Sequence, residues 1–206
     1  RGRKSQMYDG GIRVPGVIEW PARIKAPLVS QLNSVTSDIL PTLCELVGLD
    51  LPQRELDGLS LTGTFDGSLN VRPVPIFFWQ YNVGGDQQRE PWILGPLQIG
   101  TTPLVKMMGN VYTRTFTNFK HPKIVASDFD GSRVVLADDY KLVVAGNGAS
   151  LKVQLFKVPD DVAEKNDIAA EDPEVVRGML EQLRKWQTSV LTSLTGAEYK
   201  PTSNTK

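Results

Sequence analysis

Across 206 residues the sequence holds one cysteine and one histidine, and its 23 basic residues balance 23 acidic ones. Each scarcity removes a class of chemistry. A lone cysteine, Cys44, cannot close an internal disulfide or supply half of a zinc cluster. In the run Leu43-Cys44-Glu45-Leu46 it reads as a small buried hydrophobe. A catalytic thiol would need a histidine as base, and His121 stands far along the chain in Lys120-His121-Pro122. Zero net charge supplies no overall field for nucleic acid or an anionic membrane surface, so neither is an expected partner. No apolar run approaches the roughly 20 residues of a membrane-spanning helix, and no signal-peptide pattern opens the chain. What is plentiful is core material: 40% of residues are hydrophobic, enough for one large globular domain or two small ones.

The most distinctive order of residue types is Lys4-Ser5-Gln6-Met7-Tyr8-Asp9-Gly10-Gly11-Ile12-Arg13-Val14-Pro15. It lies so close to the start that the chain reads as beginning mid-protein, which leaves localisation open. Gly10 and Gly11 have access to backbone angles closed to other residues, so a tight turn there could hold Lys4 in place. Pro15 fixes its own φ and biases Val14 toward an extended conformation. The segment therefore reads as loop, turn and strand entry rather than helix. Taken alone, Arg1, Arg3 and Lys4 read as a solvated basic terminus, and it is the eight residues that follow which favour a lysine held for a task.

Beyond the turn, Gly16-Val17-Ile18-Glu19-Trp20 reads as a short strand stopped by Pro21. Ser37 to Val47 reads as a helix, with Ile39, Leu43, Leu46 and Val47 at helical spacing and Gly48 just past its end. With Asp38 as N-cap, Pro41 falls at the third helical position, where its missing N–H had no intrahelical partner. Polar, turn-forming residues between Gly67 and Pro75 place a subdomain boundary near residue 70. Val74 to Trp79 reads as a strand. Residues 82 to 123 show no steady periodicity and read as an insertion without an assignable task. Ser132–Ala137, Tyr140–Ala145 and Leu151–Phe156, joined by Asp138-Asp139 and Gly146–Ser150, read as a three-stranded antiparallel meander. A final helix follows over 173–191, with Asp172 as N-cap, Pro173 at N1 and an apolar stripe from Val176 through Met179, Leu180, Leu183, Trp186 and Val190. It should pack across one face of the sheet. Residues 192–206 are small and polar and are expected to form a frayed, disordered tail.

The opening segment resembles the sulfatase family, a formylglycine-dependent, arylsulfatase-like branch of the alkaline phosphatase superfamily. Its members carry a lysine, a few variable residues, an aromatic, an acidic residue, two glycines, an arginine and a proline. Ser37-Asp38-Ile39-Leu40-Pro41-Thr42-Leu43 is similar to the family's DxxPTL helix, and Leu56-Asp57-Gly58-Leu59-Ser60-Leu61 to its LDGxSL string, in the same order. Asp138 to Val144 and Leu155 to Ala169 resemble its C-terminal pattern, with Lys157 where an acidic residue is usual and Asp167-Ile168 where Asn-Leu is usual. The resemblance implies an α/β fold overall, α+β within this fragment. Residues 1–70 would end the catalytic α/β domain, and 71–191 would form a small antiparallel sheet with a packed C-terminal helix. It further implies a sulfate ester substrate, a divalent cation, calcium by analogy, a formylglycine nucleophile, and a periplasmic or secreted setting. Lys4 would be the catalytic and substrate-binding lysine at the sulfate, where a compact ammonium suits a sulfate oxygen. His121 is a second candidate substrate contact, with a solvated loop histidine as the alternative.

Much of that machinery is missing from the sequence. Neither Cys44 nor any serine is followed by proline two positions on and arginine two beyond that, and one histidine cannot serve both nucleophile and leaving group. The implied cation and nucleophile belong to a larger upstream domain, no metal or cofactor ligand is assigned here, and the fragment is expected to be inactive alone. An apolar face on residues 1–70 would then favour self-association. Two alternatives stay open: a phosphate or phosphonate ester hydrolase on the same scaffold, and a non-catalytic binding module. Asp128-Phe129-Asp130-Gly131 lacks ligands at the first and twelfth positions of a calcium loop and reads as a turn. Asp138-Asp139 and Asp160-Asp161 read as solvated turn formers. Arg13 suits bracing the turn or touching substrate. Trp79, Tyr81 and Trp92 suit a core or a carbohydrate platform.

Overall fold

The structure is a computed structural model that describes residues 1–80, 123–195 and 197. The described residues of Arg1–Asn82 and Asp130–Trp186 form one compact unit, and those of Val83–Phe129 and Gln187–Lys206 a second. Among the described residues three α-helices, α1 (Asp9–Ile12), α2 (Ile39–Val47) and α3 (Pro173–Thr195), accompany four strands, β1 (Ile76–Trp79), β2 (Arg133–Ala137), β3 (Tyr140–Ala145) and β4 (Lys152–Lys157). The strands make one antiparallel sheet in the order β1-β2-β3-β4. The meander is as the sequence predicts, with the strand before it joined as a fourth member. The α+β architecture follows. No described helix is long and apolar enough to cross a membrane.

Register divides the sheet into two faces. Val135, Leu142 and Leu155 are cross-strand neighbours, as are Val134 and Val143, and Lys141 and Phe156. On one face α3 seats Met179 and Leu183 against Val135, Leu142, Val144 and Leu155. On the other, Met7, Tyr8 and Ile12 cover Val134, Val143 and Phe156. A strand covered on both sides has no reason to alternate apolar with polar residues, which explains the unbroken runs Val134-Val135-Leu136 and Leu142-Val143-Val144. Along α3, Trp186 stacks on Phe77 at 4.9 Å with a 9° interplanar angle and meets Trp79 edge-on at 6.1 Å. Trp79 is thus part of the aromatic packing under α3, while Tyr81 and Trp92 lie outside the described residues.

Several sequence expectations need correction. Asp9–Ile12 is a helical turn, not strand entry. Residues 13–20 have no regular structure, and Val17 is 91% exposed, because no neighbouring strand among the described residues accepts their hydrogen bonds. Asp38 does occupy the N-cap position of α2, but its carboxylate makes no capping bond. Cys44 is half-buried rather than buried. The final helix continues four residues past 191, so Thr192 to Thr195 are helical rather than frayed.

Candidate functional site

Lys4 sits at the tip of a four-residue turn. The Gln6 N–H donates to the Arg3 carbonyl at 2.9 Å, the Arg3 N–H to Gln6 Oε1 at 3.0 Å, and Ser5 adopts a left-handed φ of +73°. Lys4 is exposed, and among the described residues its ammonium has no hydrogen-bond or ion-pair partner. The turn folds back over α1, where the Gly10 N–H donates to the Arg1 carbonyl at 2.9 Å. A Cβ on Gly10 would overlap the Gly2 carbonyl, and one on Gly11 the carbonyls of Gln6 and Arg3. Both glycines lie in the helix and neither has a positive φ. The pair is thus required for close approach, not for the unusual angles the sequence suggested.

Beneath this turn α1 is tied to the sheet. Asp9 Oδ1 accepts from Lys141 Nζ at 2.7 Å, and Lys141 Nζ also donates to Glu164 Oε1 at 2.5 Å. Glu164 Oε2 accepts the Asp9 N–H at 3.1 Å, closing a ring of contacts. Lys141 is 0% exposed and Glu164 1%, so one buried ammonium is shared by two carboxylates. Arg13 reaches the other Asp9 oxygen at 3.4 Å from the exposed rim, which supports its reading as a brace. Tyr8 donates its hydroxyl to Gln154 Oε1 at 2.6 Å, and its ring meets Phe156 edge-on at 6.5 Å. Glu164 is presented by a loop that Asp161 stabilises: its carboxylate accepts the N–H groups of Lys165 at 3.0 Å and Asn166 at 2.7 Å. Those two donors hold the Asp161 carboxyl below its ordinary value.

A second node joins the other two motifs. Asp38 is fully buried and receives both terminal guanidinium nitrogens of Arg72 at 2.8 Å, the Val35 N–H at 2.8 Å and the Leu59 N–H at 2.9 Å. Thr42 donates its hydroxyl to the Asp38 carbonyl at 2.7 Å and accepts the Leu61 N–H at 2.9 Å. Gly58 passes so close to the Ser37 carbonyl that any Cβ would overlap it. The aspartate and threonine of one motif thereby receive the backbone of the other. This node is architectural, and it is separate in sequence from the Lys4 turn.

Of the sequence-predicted site residues, Lys4 is placed on a hydrogen-bonded, exposed turn, and His121 lies outside the described residues. Lys141, Glu164 and Gln154 were not singled out by sequence reasoning. The available signal was a lysine inside the otherwise apolar strand Tyr140–Ala145, since a buried ammonium demands a carboxylate partner. Among the described residues no group of three or more His, Cys, Asp or Glu side chains is arranged to hold a metal ion. Asp138 forms the β2–β3 turn with φ +49°, and Asp128 accepts the Val125 N–H at 2.8 Å within a 3₁₀ turn.

No protein-family model matches the chain. Human steryl-sulfatase is 38% identical over 68 residues, a match covering 32% of this chain and 12% of that protein. Arylsulfatase K of Xenopus laevis is 26% identical over 182 residues, covering 88% of this chain and 27% of its own length. The crystal structure of Ps i-CgsB in complex with k-i-k-neocarrahexaose matches 80% of this chain and 29% of its own, at 14% identity and a TM-score of 0.44. The matches span 12% of human steryl-sulfatase and 27% of arylsulfatase K, so the chain covers less than a third of the length of these curated relatives. Three motifs in family order, an interlocked arrangement of two of them, and sequence similarity to steryl-sulfatase and the arylsulfatases point the same way: over part of their length, this chain is similar to sulfatases.

Proposed function

We propose that this chain is the C-terminal part of an enzyme that hydrolyses sulfate esters, and that Lys4 supplies a positive charge to the sulfate oxygens. The observation that carries this reading is the Lys4 turn itself: an unpaired ammonium, exposed, on a short loop held by hydrogen bonds and by close contact with Gly10 and Gly11. A backbone held in place before substrate arrives limits the reorganisation left to the lysine side chain, and a cation delivered there would stabilise charge that develops on the sulfate oxygens. The side chain is a point donor with three N–H bonds, suited to a tetrahedral anion.

The formylglycine nucleophile and divalent cation belong to the same proposal, where they would supply the attacking hydroxyl and neutralise sulfate charge. The described residues do not fit either group. Cys44 lies mid-helix in α2, followed by Glu45 and Leu46 rather than the required proline and arginine spacing, and no described acidic cluster could ligate the cation. What this chain contributes is the orientation of Lys4 and the scaffold beneath it.

The test is Lys4→Ala in the complete enzyme, assayed with 4-nitrophenyl sulfate beside 4-nitrophenyl phosphate. Loss of one preorganised charge contact should lower kcat for the sulfate ester by roughly 10² or more. Turnover unchanged from wild type would overturn the assignment, and preferential hydrolysis of the phosphate ester would move the reading to phosphorus substrates.

A further inference from the structure

We propose that Lys141 and Glu164 are positioning residues for Lys4, acting through Asp9; the claim rests on the reading of Lys4 as the sulfate contact. Lys141 comes from β3 and Glu164 from the loop after β4, 132 and 155 residues away from Asp9 in sequence, yet the three close a ring with contacts of 2.5 to 3.1 Å. Burying an ammonium with two carboxylates is not a way to gain core stability, since apolar residues of similar volume commonly do as well or better. What directional bonds do add is location. Met7, Tyr8 and Ile12 could slide over an apolar sheet face, whereas the Asp9 carboxylate and N–H are satisfied together only with α1 at one place and one orientation.

That placement passes directly to the lysine. Asp9 starts α1, its neighbours Gly10 and Gly11 lie in hard contact with the backbone of the Lys4 turn, and the Gly10 N–H bonds the Arg1 carbonyl. Glu164 also holds a left-handed φ of +52°, an uncommon conformation for a buried, non-glycine residue and one that surrounding contacts must maintain. The ring therefore transmits the position of the sheet to the tip of the turn.

Amide hydrogen exchange in the 206-residue chain tests this with Lys141→Met and Glu164→Gly. The second variant deletes the carboxylate at a backbone position that glycine favours, so it introduces no new strain. Exchange at Gln6, Gly10 and Gly11 should quicken by roughly tenfold or more in both variants, with Val134 and Val135 in β2 changed by about twofold at most. Unchanged exchange at the three amides would overturn the proposal. So would equal acceleration throughout the sheet, which would make the ring a matter of global stability. If Lys141→Met fails to fold, Glu164→Gly decides alone, because its backbone lies outside the strands. In the complete enzyme, Glu164→Gly should lower kcat in the wild-type background and have no further effect in Lys4→Ala, a non-additivity that a merely structural role would not produce. Should Lys4→Ala retain full activity, the sulfate reading falls, while the exchange result still decides whether the ring positions the turn.

Discussion

Asp38 shows how much one side chain can organise. Burial raises its carboxyl, but the hydrogen bonds from Arg72, Leu59 and Val35 and the Arg72 charge outweigh that effect, and the net shift is downward. The sign follows. A depressed native value means that the stabilisation is fully present above the ordinary aspartate value of 3.8, and is lost as pH falls below it through the native value. Asp38→Asn leaves the buried Arg72 guanidinium without its counter-charge and should cost about 3 to 5 kcal/mol at neutral pH. Urea midpoints for both proteins should converge as pH drops below about 4; a constant gap down to pH 2 would show that the charge is not what matters. At this scale the sequence was partly readable. Arg13 as a brace is a local fact, carried by Asp9 four residues away, whereas the turn that carries Lys4 spans residues 3–6 and not the Gly10-Gly11 pair, which lies in α1. The Arg72 fork on Asp38 and the Lys141 ring were not readable, because a sequence shows that an ion needs a partner but not which residue tens of positions away provides it.

Elements were legible wherever their determinants were local. Two-residue and glycine-containing turns fix the β2–β3–β4 meander, and an N-terminal proline with a repeating apolar stripe fixes α3. The strand expected at Gly16–Trp20 was not formed, since alternation and β-branching describe a candidate that still needs a neighbour. The unforeseen element was α1. Its sequence, Asp-Gly-Gly-Ile, has almost no helical preference, and it is held by tertiary contacts to the sheet face opposite α3. A direct comparison of α3 with α2 follows from this. Leu183 is 2% exposed and wedged into the sheet, so Leu183→Ala should cost about 2 to 5 kcal/mol in urea unfolding. Leu43 on α2 is 54% exposed, and Leu43→Ala should stay within about 0.5 kcal/mol of wild type. Equal losses at the two sites would mean that the α2 stripe is buried in a way the fold does not display.

The same contrast, taken over the described residues as a whole, gives residues 1–70 an exposed apolar surface. Ile39, Leu43 and Val47 recur every four residues along α2 and are 55%, 54% and 66% exposed, while the opposite side of the helix seats Pro41 and Thr42. Val14, Val17, Ile18, Leu28 and Val29 add further exposure from segments without regular structure. Single exposed leucines are ordinary, but an amphipathic helix whose apolar stripe faces outward is the signature of an interface rather than of a finished surface. In the proposed enzyme that stripe would meet the catalytic domain. In the 206-residue chain alone, the same physics favours contact between copies, because burial of apolar area is not selective about which apolar partner provides it. Sedimentation velocity should therefore find concentration-dependent association, together with enhanced fluorescence of an environment-sensitive hydrophobic dye. Leu43→Glu with Val47→Lys should weaken both signals while leaving the sheet and α3 intact by circular dichroism, since neither residue touches the core under α3. A dye-silent monomer at all concentrations would remove the argument that residues 1–70 are built to be covered, and with it the structural support for their belonging to a larger catalytic domain.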